Sequence, residues 1–324
     1  MNTEDLLLDA VNKNLEDNQE DGFRWHLGAS IVGRECARNV WYSFRWCLRS
    51  THGGRLLRIF DRGHREEERF IEWLQGAGLR ILDRDPDTGK QFRITDCDGH
   101  FGGSLDAVIT KGLPQMPKTA ALAEFKTHND KSFQKLKKEG VFGAKYEHWV
   151  QMQLYMYKRD LKIALYCAIN KNDDELYFEL VKIDAKQAAQ YLERAGRIVH
   201  ANEPPPKISD SAAFFSCKFC DFSAVCHGTR TPAINCRTCA HSTPLPQNGQ
   251  WHCARHDLVF NKPEGENHSE MVDGCSEHVF NPYLLNRVEY MGGHDERHTI
   301  LKLKDGSEVI QGPDHVKSRE LKLV

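Results

Sequence analysis

The chain has 324 residues, 40% of them hydrophobic and 28% charged, which is enough for at least one sizeable core. Its 44 basic and 46 acidic side chains leave a net charge of −2, which excludes a polybasic, histone-like strategy but not local patches. No apolar run approaches the roughly 18 residues of a membrane span, and the start Met1-Asn2-Thr3-Glu4-Asp5 lacks a signal peptide's basic flank and apolar core. A cytoplasmic chain with no membrane partner is expected.

Residues 3–17 read as an amphipathic helix with Leu6, Leu7 and Val11 on one side. A second helix is predicted over 36–46, and a strongly charged one over 62–76 with Phe70, Trp73 and Leu74 inward. The period then changes from helical to alternating. Strands are predicted at 79–83, 91–96, 101–110 and 119–127, with a turn at Lys111-Gly112-Leu113-Pro114. Helices follow at 130–139 and 146–159, strands at 163–169 and 175–182, and a helix at 185–200 that ends at Pro204-Pro205-Pro206. This order argues for an α/β fold with a mixed central sheet flanked by helices. A Cys-rich segment runs on to about Pro282, followed by a small β-like tail at 299–304 and 308–311.

Asp106 closes the segment Gly102-Gly103-Ser104-Leu105-Asp106, and Ala123-Glu124-Phe125-Lys126-Thr127 follows in a second strand context. Residues two apart in a strand share a face, so Glu124 and Lys126 project together. If the two strands pair as a hairpin, Asp106 sits beside Glu124. Two acids and an ammonium on one sheet face are costly, and the cost makes sense if a divalent cation lies between the acids. Oxygen ligands suit Mg²⁺ or Mn²⁺, an ion that supports phosphodiester hydrolysis, with Lys126 orienting water or stabilising the developing charge. Taken alone, a short Asp…Glu-x-Lys pattern is far more often the solvated face of a surface hairpin. Gln151 and Tyr155 are i,i+4 neighbours on the predicted 146–159 helix, where an ordinary core Tyr is the bland reading. His64, in Arg62-Gly63-His64-Arg65, is a further candidate ligand.

Together, Gly-His, Gly-x-x-Asp, Glu-x-Lys and Gln-x-x-x-Tyr resemble the PD-(D/E)XK nuclease superfamily in its RecB-like branch, over residues 30–230. The resemblance implies a restriction-endonuclease-like core and metal-dependent cleavage of DNA. An exonuclease acting on DNA ends or single strands in recombination, repair or processing is the reading it favours. It places His64, Asp106, Glu124 and the carbonyl of Phe125 as metal ligands, and Lys126 as the catalytic lysine. Gln151 and Tyr155 become supporting residues; Gln153 and Tyr157 fit the same spacing. The family's proline is absent, since Leu105 precedes Asp106. The alternative function is a non-catalytic DNA-binding or interaction protein built on the same fold.

The 11 cysteines are unevenly spread, seven of them between Cys217 and Cys275, which points to metal ligation and away from disulfides. Cys217, Cys220 and Cys226 form Cys-x2-Cys-x5-Cys, for which a zinc knuckle completed by His227 is the plain reading. AddB-type and CRISPR-associated adaptation nucleases are similar in setting one earlier Cys against such a trio. That resemblance implies a 4Fe–4S cluster on Cys36, Cys217, Cys220 and Cys226 that closes the domain. Cys236, Cys239, Cys253 and Cys275 are zinc-ribbon-like, with His241, His256 and His278 as competing ligands. Cys47, Cys97 and Cys167 are read as core or partly buried thiols. The expected organisation is an N-terminal helix (1–29), a nuclease domain (30–230), a zinc module (231–285) and a β tail (286–324).

Eleven Arg and no Lys lie between Arg34 and Arg84, against seven acids, so this stretch is a candidate DNA track. Trp41, Tyr42, Phe44 and Trp46 offer rings on which unpaired bases could stack, and helices with solvated, salt-bridged faces are an equal reading. Lys131, Lys135, Lys137 and Lys138 form a second track. DNA is the expected partner, joined by proteins of a DNA-processing complex.

Overall fold

The computed structural model describes residues 2–19, 22–261, 269–286, 288–295, 298–312 and 314–321. Its helices are α1 (Thr3–Asp17), α2 (Ala29–Val32), α3 (Ala37–Phe44), α4 (Gly54–Gly76), α5 (Asp130–Ala144), α6 (Tyr146–Lys158) and α7 (Ala185–His200), before two short turns α8 (Phe215–Lys218) and α9 (Ser223–Cys226). The strands up to α7 are β1 (Leu27–Gly28), β2 (Arg80–Leu82), β3 (Arg93–Asp96), β4 (Phe101–Ser104), β5 (Ala107–Lys111), β6 (Ala121–His128), β7 (Ile163–Asn170) and β8 (Leu176–Lys182). The fold is α/β.

A five-stranded mixed sheet in the order β2-β5-β6-β7-β8 forms the centre. Only the β6–β7 pair is parallel; the others are antiparallel. Every residue of β7 is buried, as a continuous apolar strand covered on both faces should be. On one face Phe70 of α4 stacks on Phe125 of β6 with ring centroids 5.2 Å apart. Against the other pack α5 and α6, where Leu122, Tyr166 and Ala168 join the main core.

Two expected elements are corrected. The strand predicted over 101–110 is two strands in different sheets: β4 pairs with β1 and β3, and β5 joins the central sheet. Leu105 is fully buried between them and its N–H donates to Phe92 O at 2.9 Å, so a core anchor turns the chain there. The helix predicted from 62 starts at Gly54 instead. Contacts with α1 hold that extra length: the Gly54 N–H donates to Glu16 Oε1 at 2.7 Å, and Arg58 donates to Asn12 Oδ1 at 2.7 Å.

Beyond α7, β9 (Ser242–Pro244), β10 (Trp251–Cys253) and β11 (Leu258–Phe260) form one small sheet. A second is built from β12 (Glu289–Asp295), β13 (His298–Lys302) and β14 (Glu308–Gln311). Trp251 and Leu284 pack into the same core as Phe23, Trp25, Phe44 and Trp46. Among the described residues no helix is long and apolar enough to cross a membrane.

Candidate functional site

The antiparallel register sets Ala107 opposite Ala123, which brings Asp106 and Glu124 together where β5 begins. Asp106 Oδ2 accepts the Phe125 N–H at 2.8 Å. Lys126 is ion-paired with Glu124, lies 3.5 Å from Asp106 Oδ2, and donates to the carbonyl of Phe125 at 2.9 Å. One ammonium thus sits amid three oxygen acceptors. Burial disfavours that charge, but Asp106 and Glu124 outweigh burial and hold the Lys126 pKa above its usual value.

Glu124 is completely buried, and neither carboxylate oxygen has a hydrogen-bond partner of good geometry. Burial, then the charge of Asp106, pushes its pKa up to about 8 against the pull of Lys126. A third acid, Glu67 of α4, is pushed up to about 7 by burial and then by Asp106. For both Glu67 and Glu124 burial is the larger cause, and the negative charge of Asp106 adds to it. Sequence reasoning missed Glu67. The signal was its i,i+3 spacing from His64, which puts both on one helix face.

Asp106, Lys126, Glu67 and His64 line one cavity of about 710 Å³ together with Gln151 and Tyr155. Gln151 Nε2 donates to the Tyr155 hydroxyl at 3.3 Å, and both side chains are buried. Gly103 makes room for them, since a Cβ there would lie 2.5 Å from the Tyr155 hydroxyl oxygen. Gln153 faces elsewhere, donating to Lys182 O at 3.1 Å and accepting the Asp184 N–H at 2.6 Å, and Tyr157 is exposed. A further group was not read from the sequence. The Tyr166 hydroxyl bridges His128 Nε2 at 3.0 Å and His148 Nδ1 at 2.9 Å, and His148 reaches the cavity wall. Burial, then Lys145 and Lys126, lowers the His128 pKa to about 4; burial, then Lys126 and Lys145, lowers that of His148 to about 3.

The elevated pKa of Glu67 has a measurable consequence. A carboxyl protonated more readily in the folded state loses stability as pH rises from its unfolded value near 4.5 through its folded value near 7. In chelator-treated protein, Glu67→Gln is therefore expected to raise the melting temperature at pH 8 and leave it nearly unchanged at pH 4. An equal shift at both pH values would show that the carboxylate is not under this strain.

Cys36, Cys217, Cys220 and Cys226 line one cavity of about 310 Å³, and His227 lies on its wall. Cys36 caps the start of α3, and the other three ride on the α8–α9 turns. Asn39 Nδ2 donates to Cys220 Sγ at 3.1 Å. In the second set, burial and then the charges of Cys239, Cys253 and Cys275 push the Cys236 thiol up to about 12. His278 is engaged by Thr238 and Asn235, and His256 lies 3.7 Å from Glu277, whereas His241 Nε2 is buried and unpartnered. Among the described residues, no group of three or more His, Cys, Asp or Glu side chains is arranged to hold a metal ion. Cys47 and Cys167 are buried, and Cys97 is partly so.

The base-stacking expectation is corrected. Trp41, Tyr42, Phe44 and Trp46 are at most 2% exposed and build the core, so they present no face to a nucleic acid. Arg45 is buried with them, and Arg38 donates to Pro205 O at 2.7 Å. The arginines that reach the cavity are Arg24, Arg84 and Arg93. In the second track, Lys135 and Lys137 are paired with Glu139 and Glu175.

No family model matches the chain, and no curated protein does. Similar solved structures include the protein SSO0001, 16% identical, covering 71% of this chain and 98% of that one at a TM-score of 0.39. An alkaline exonuclease of Laribacter hongkongensis, LHK-Exo, is 14% identical, with 57% of this chain and 90% of that one covered at a TM-score of 0.39. Its complex with dAMP gives 59% and 90% at 14% identity and the same TM-score.

Proposed function

We propose that the chain is a metal-dependent nuclease that hydrolyses phosphodiester bonds of DNA, acting as an exonuclease on ends or single strands. The observation that carries this reading is Glu124: a fully buried carboxylate ion-paired with Lys126 and set beside Asp106, so that one lysine serves two acids. Crowding a buried carboxyl against a second acid with one lysine between them is expensive, and hard oxygen ligands suit Mg²⁺ or Mn²⁺. Asp106, Glu124, the Phe125 carbonyl and His64 would hold it. When bound, such an ion polarises a phosphate oxygen and lowers the pKa of a water. Lys126 then serves the negative charge that grows on the phosphorane. Gln151 and Tyr155 shape the wall against which the strand lies.

The four thiols around the 310 Å³ cavity suit a 4Fe–4S cluster, whose part here is structural: it ties the start of α3 to the α8–α9 turns. Cys236, Cys239, Cys253 and Cys275 suit zinc. Cys36→Ser is expected to strip iron from anaerobically purified protein while sparing zinc, and Cys239→Ser to do the reverse. Metal analysis of the two variants decides it, and iron and zinc lost together from either variant would contradict the partition.

The function itself is tested by incubating wild-type protein with labelled linear and circular DNA in Mg²⁺ or Mn²⁺, with a chelator control. Linear DNA should be degraded from its ends and closed circles spared. Protein that binds DNA yet cuts nothing under either metal would favour a non-catalytic DNA-binding role.

A further inference from the structure

Glu124, Lys126 and His128 alternate along β6, so all three face the layer of α5 and α6. The parallel register sets Tyr166 of β7 opposite Glu124 on that same face, and its side chain is completely buried. The Tyr166 hydroxyl lies 3.0 Å from His128 Nε2 and 2.9 Å from Nδ1 of His148, which α6 supplies. On the far side, His128 Nδ1 lies 3.0 Å from Ser132 Oγ in the first turn of α5. The cap of that helix fixes the turn, since Asn129 Oδ1 accepts the Ser132 N–H at 2.9 Å. Four side chains from four elements thus form one chain of hydrogen bonds. His148 Nε2 ends it, with no hydrogen-bond partner among the described residues. His148, Gln151 and Tyr155 form one stripe of α6. His148 lies on the wall of the 710 Å³ cavity and of a second one of about 800 Å³, and the two share Arg24, His64, Glu67 and Lys126. The ring therefore stands near Lys126, where the two cavities meet.

Burial and the charges of Lys126 and Lys145 keep both rings neutral. A neutral imidazole carries one N–H and one bare nitrogen, and a phenol has one proton to give. The Tyr166 hydroxyl therefore donates to one histidine and accepts from the other. Both directions keep every bond of the chain, so whatever meets His148 Nε2 makes the choice. A phosphodiester offers acceptors only. It selects the direction in which Tyr166 donates to Nδ1 and the proton of His148 sits on Nε2. We infer that His148 is a substrate-contacting residue, whose Nε2–H donates to a phosphate oxygen of the strand in the cavity. Tyr166, His128 and Ser132 are positioning residues that hold its ring and satisfy Nδ1. This inference rests on the nuclease reading and adds to it a donor that carries no charge. An imidazolium near Lys126 would be repelled, whereas a neutral ring can serve the same phosphate.

Single-turnover DNA digestion, together with nitrogen NMR of protein labelled at its histidine rings, tests it. His148→Ala at saturating DNA is expected to cut at least about tenfold slower, the effect of losing one hydrogen bond to a charged group. His148→Gln, which keeps an N–H near the place of Nε2, should recover most of that rate. Mn²⁺ affinity should be unchanged in both variants, because the ring is not a ligand. The signal missing from His148→Gln identifies His148 in the wild-type spectrum. With DNA bound in Ca²⁺, the proton of His148 should sit on Nε2 and leave Nδ1 bare. In Tyr166→Phe the Nδ1 signal should shift and cleavage should slow. A proton on Nδ1 in the DNA complex, full-rate cleavage by His148→Ala or Tyr166→Phe, or weaker Mn²⁺ binding in His148→Gln would overturn the inference. Wild-type protein that cuts nothing would overturn the nuclease reading instead, and the NMR signal would still report whether His148 meets the phosphate.

Discussion

Lys126→Ala is expected to lower the rate of DNA cleavage by about 10²–10³-fold, the usual effect of removing one group that stabilises developing charge. DNA affinity measured in Ca²⁺ should hardly change, because a single phosphate contact contributes little to the total. The structure adds a second consequence. Lys126 is the cation closest to Glu124 and Asp106, so its removal leaves buried acids unpaired. Chelator-treated Lys126→Ala should therefore melt below wild type, and Mn²⁺ should recover much of that loss. Single-turnover digestion together with melting curves reads both effects. Full activity in Lys126→Ala would place the chemistry elsewhere in the chain.

The other large effect is expected far from the cavity, at Arg237. This guanidinium is completely buried with no carboxylate partner among the described residues, and burial holds its pKa well below the usual arginine value. It lies 3.8 Å from the ring centroid of Trp46 and 4.7 Å from that of Trp251, and donates to Phe44 O at 2.9 Å and to Trp25 O. The residue thus bolts the segment carrying Cys236 and Cys239 to the N-terminal core. Arg237→Ala would orphan two buried carbonyls and open a cavity, for a loss of about 4 kcal/mol. Arg237→Met, which fills the space but makes no hydrogen bonds, should lose roughly half of that. Urea denaturation of the two variants measures it. A loss under about 0.5 kcal/mol for Arg237→Ala would mean the cage contributes only shape.

The acid–lysine set was legible because strand periodicity is strict. Glu124 and Lys126 two apart must share a face, and the pairing of β5 with β6, a condition in the sequence, brings Asp106 alongside. Local pattern fails where burial decides. The Leu105 anchor that splits the 101–110 stretch between two sheets looks like any strand leucine in the sequence. Glu67 was hidden in Glu66-Glu67-Glu68, of which Glu66 is buried and paired with Arg69 at 2.7 Å and Glu68 is exposed. Trp41, Tyr42, Phe44 and Trp46 amid arginines look like a base-stacking surface in sequence. Only the packing of Trp251 and Arg237 against Phe44 shows that they are the core.

The direct test of the central claim is a Mn²⁺ titration followed by electron paramagnetic resonance on wild type, Asp106→Asn and Lys126→Ala. The expected result is one Mn²⁺ held at the acidic site in wild type, much weaker binding in Asp106→Asn, and binding retained in Lys126→Ala, because an ammonium is not a ligand. Equal Mn²⁺ affinity in wild type and Asp106→Asn would contradict the account, since the buried acids would then hold no ion.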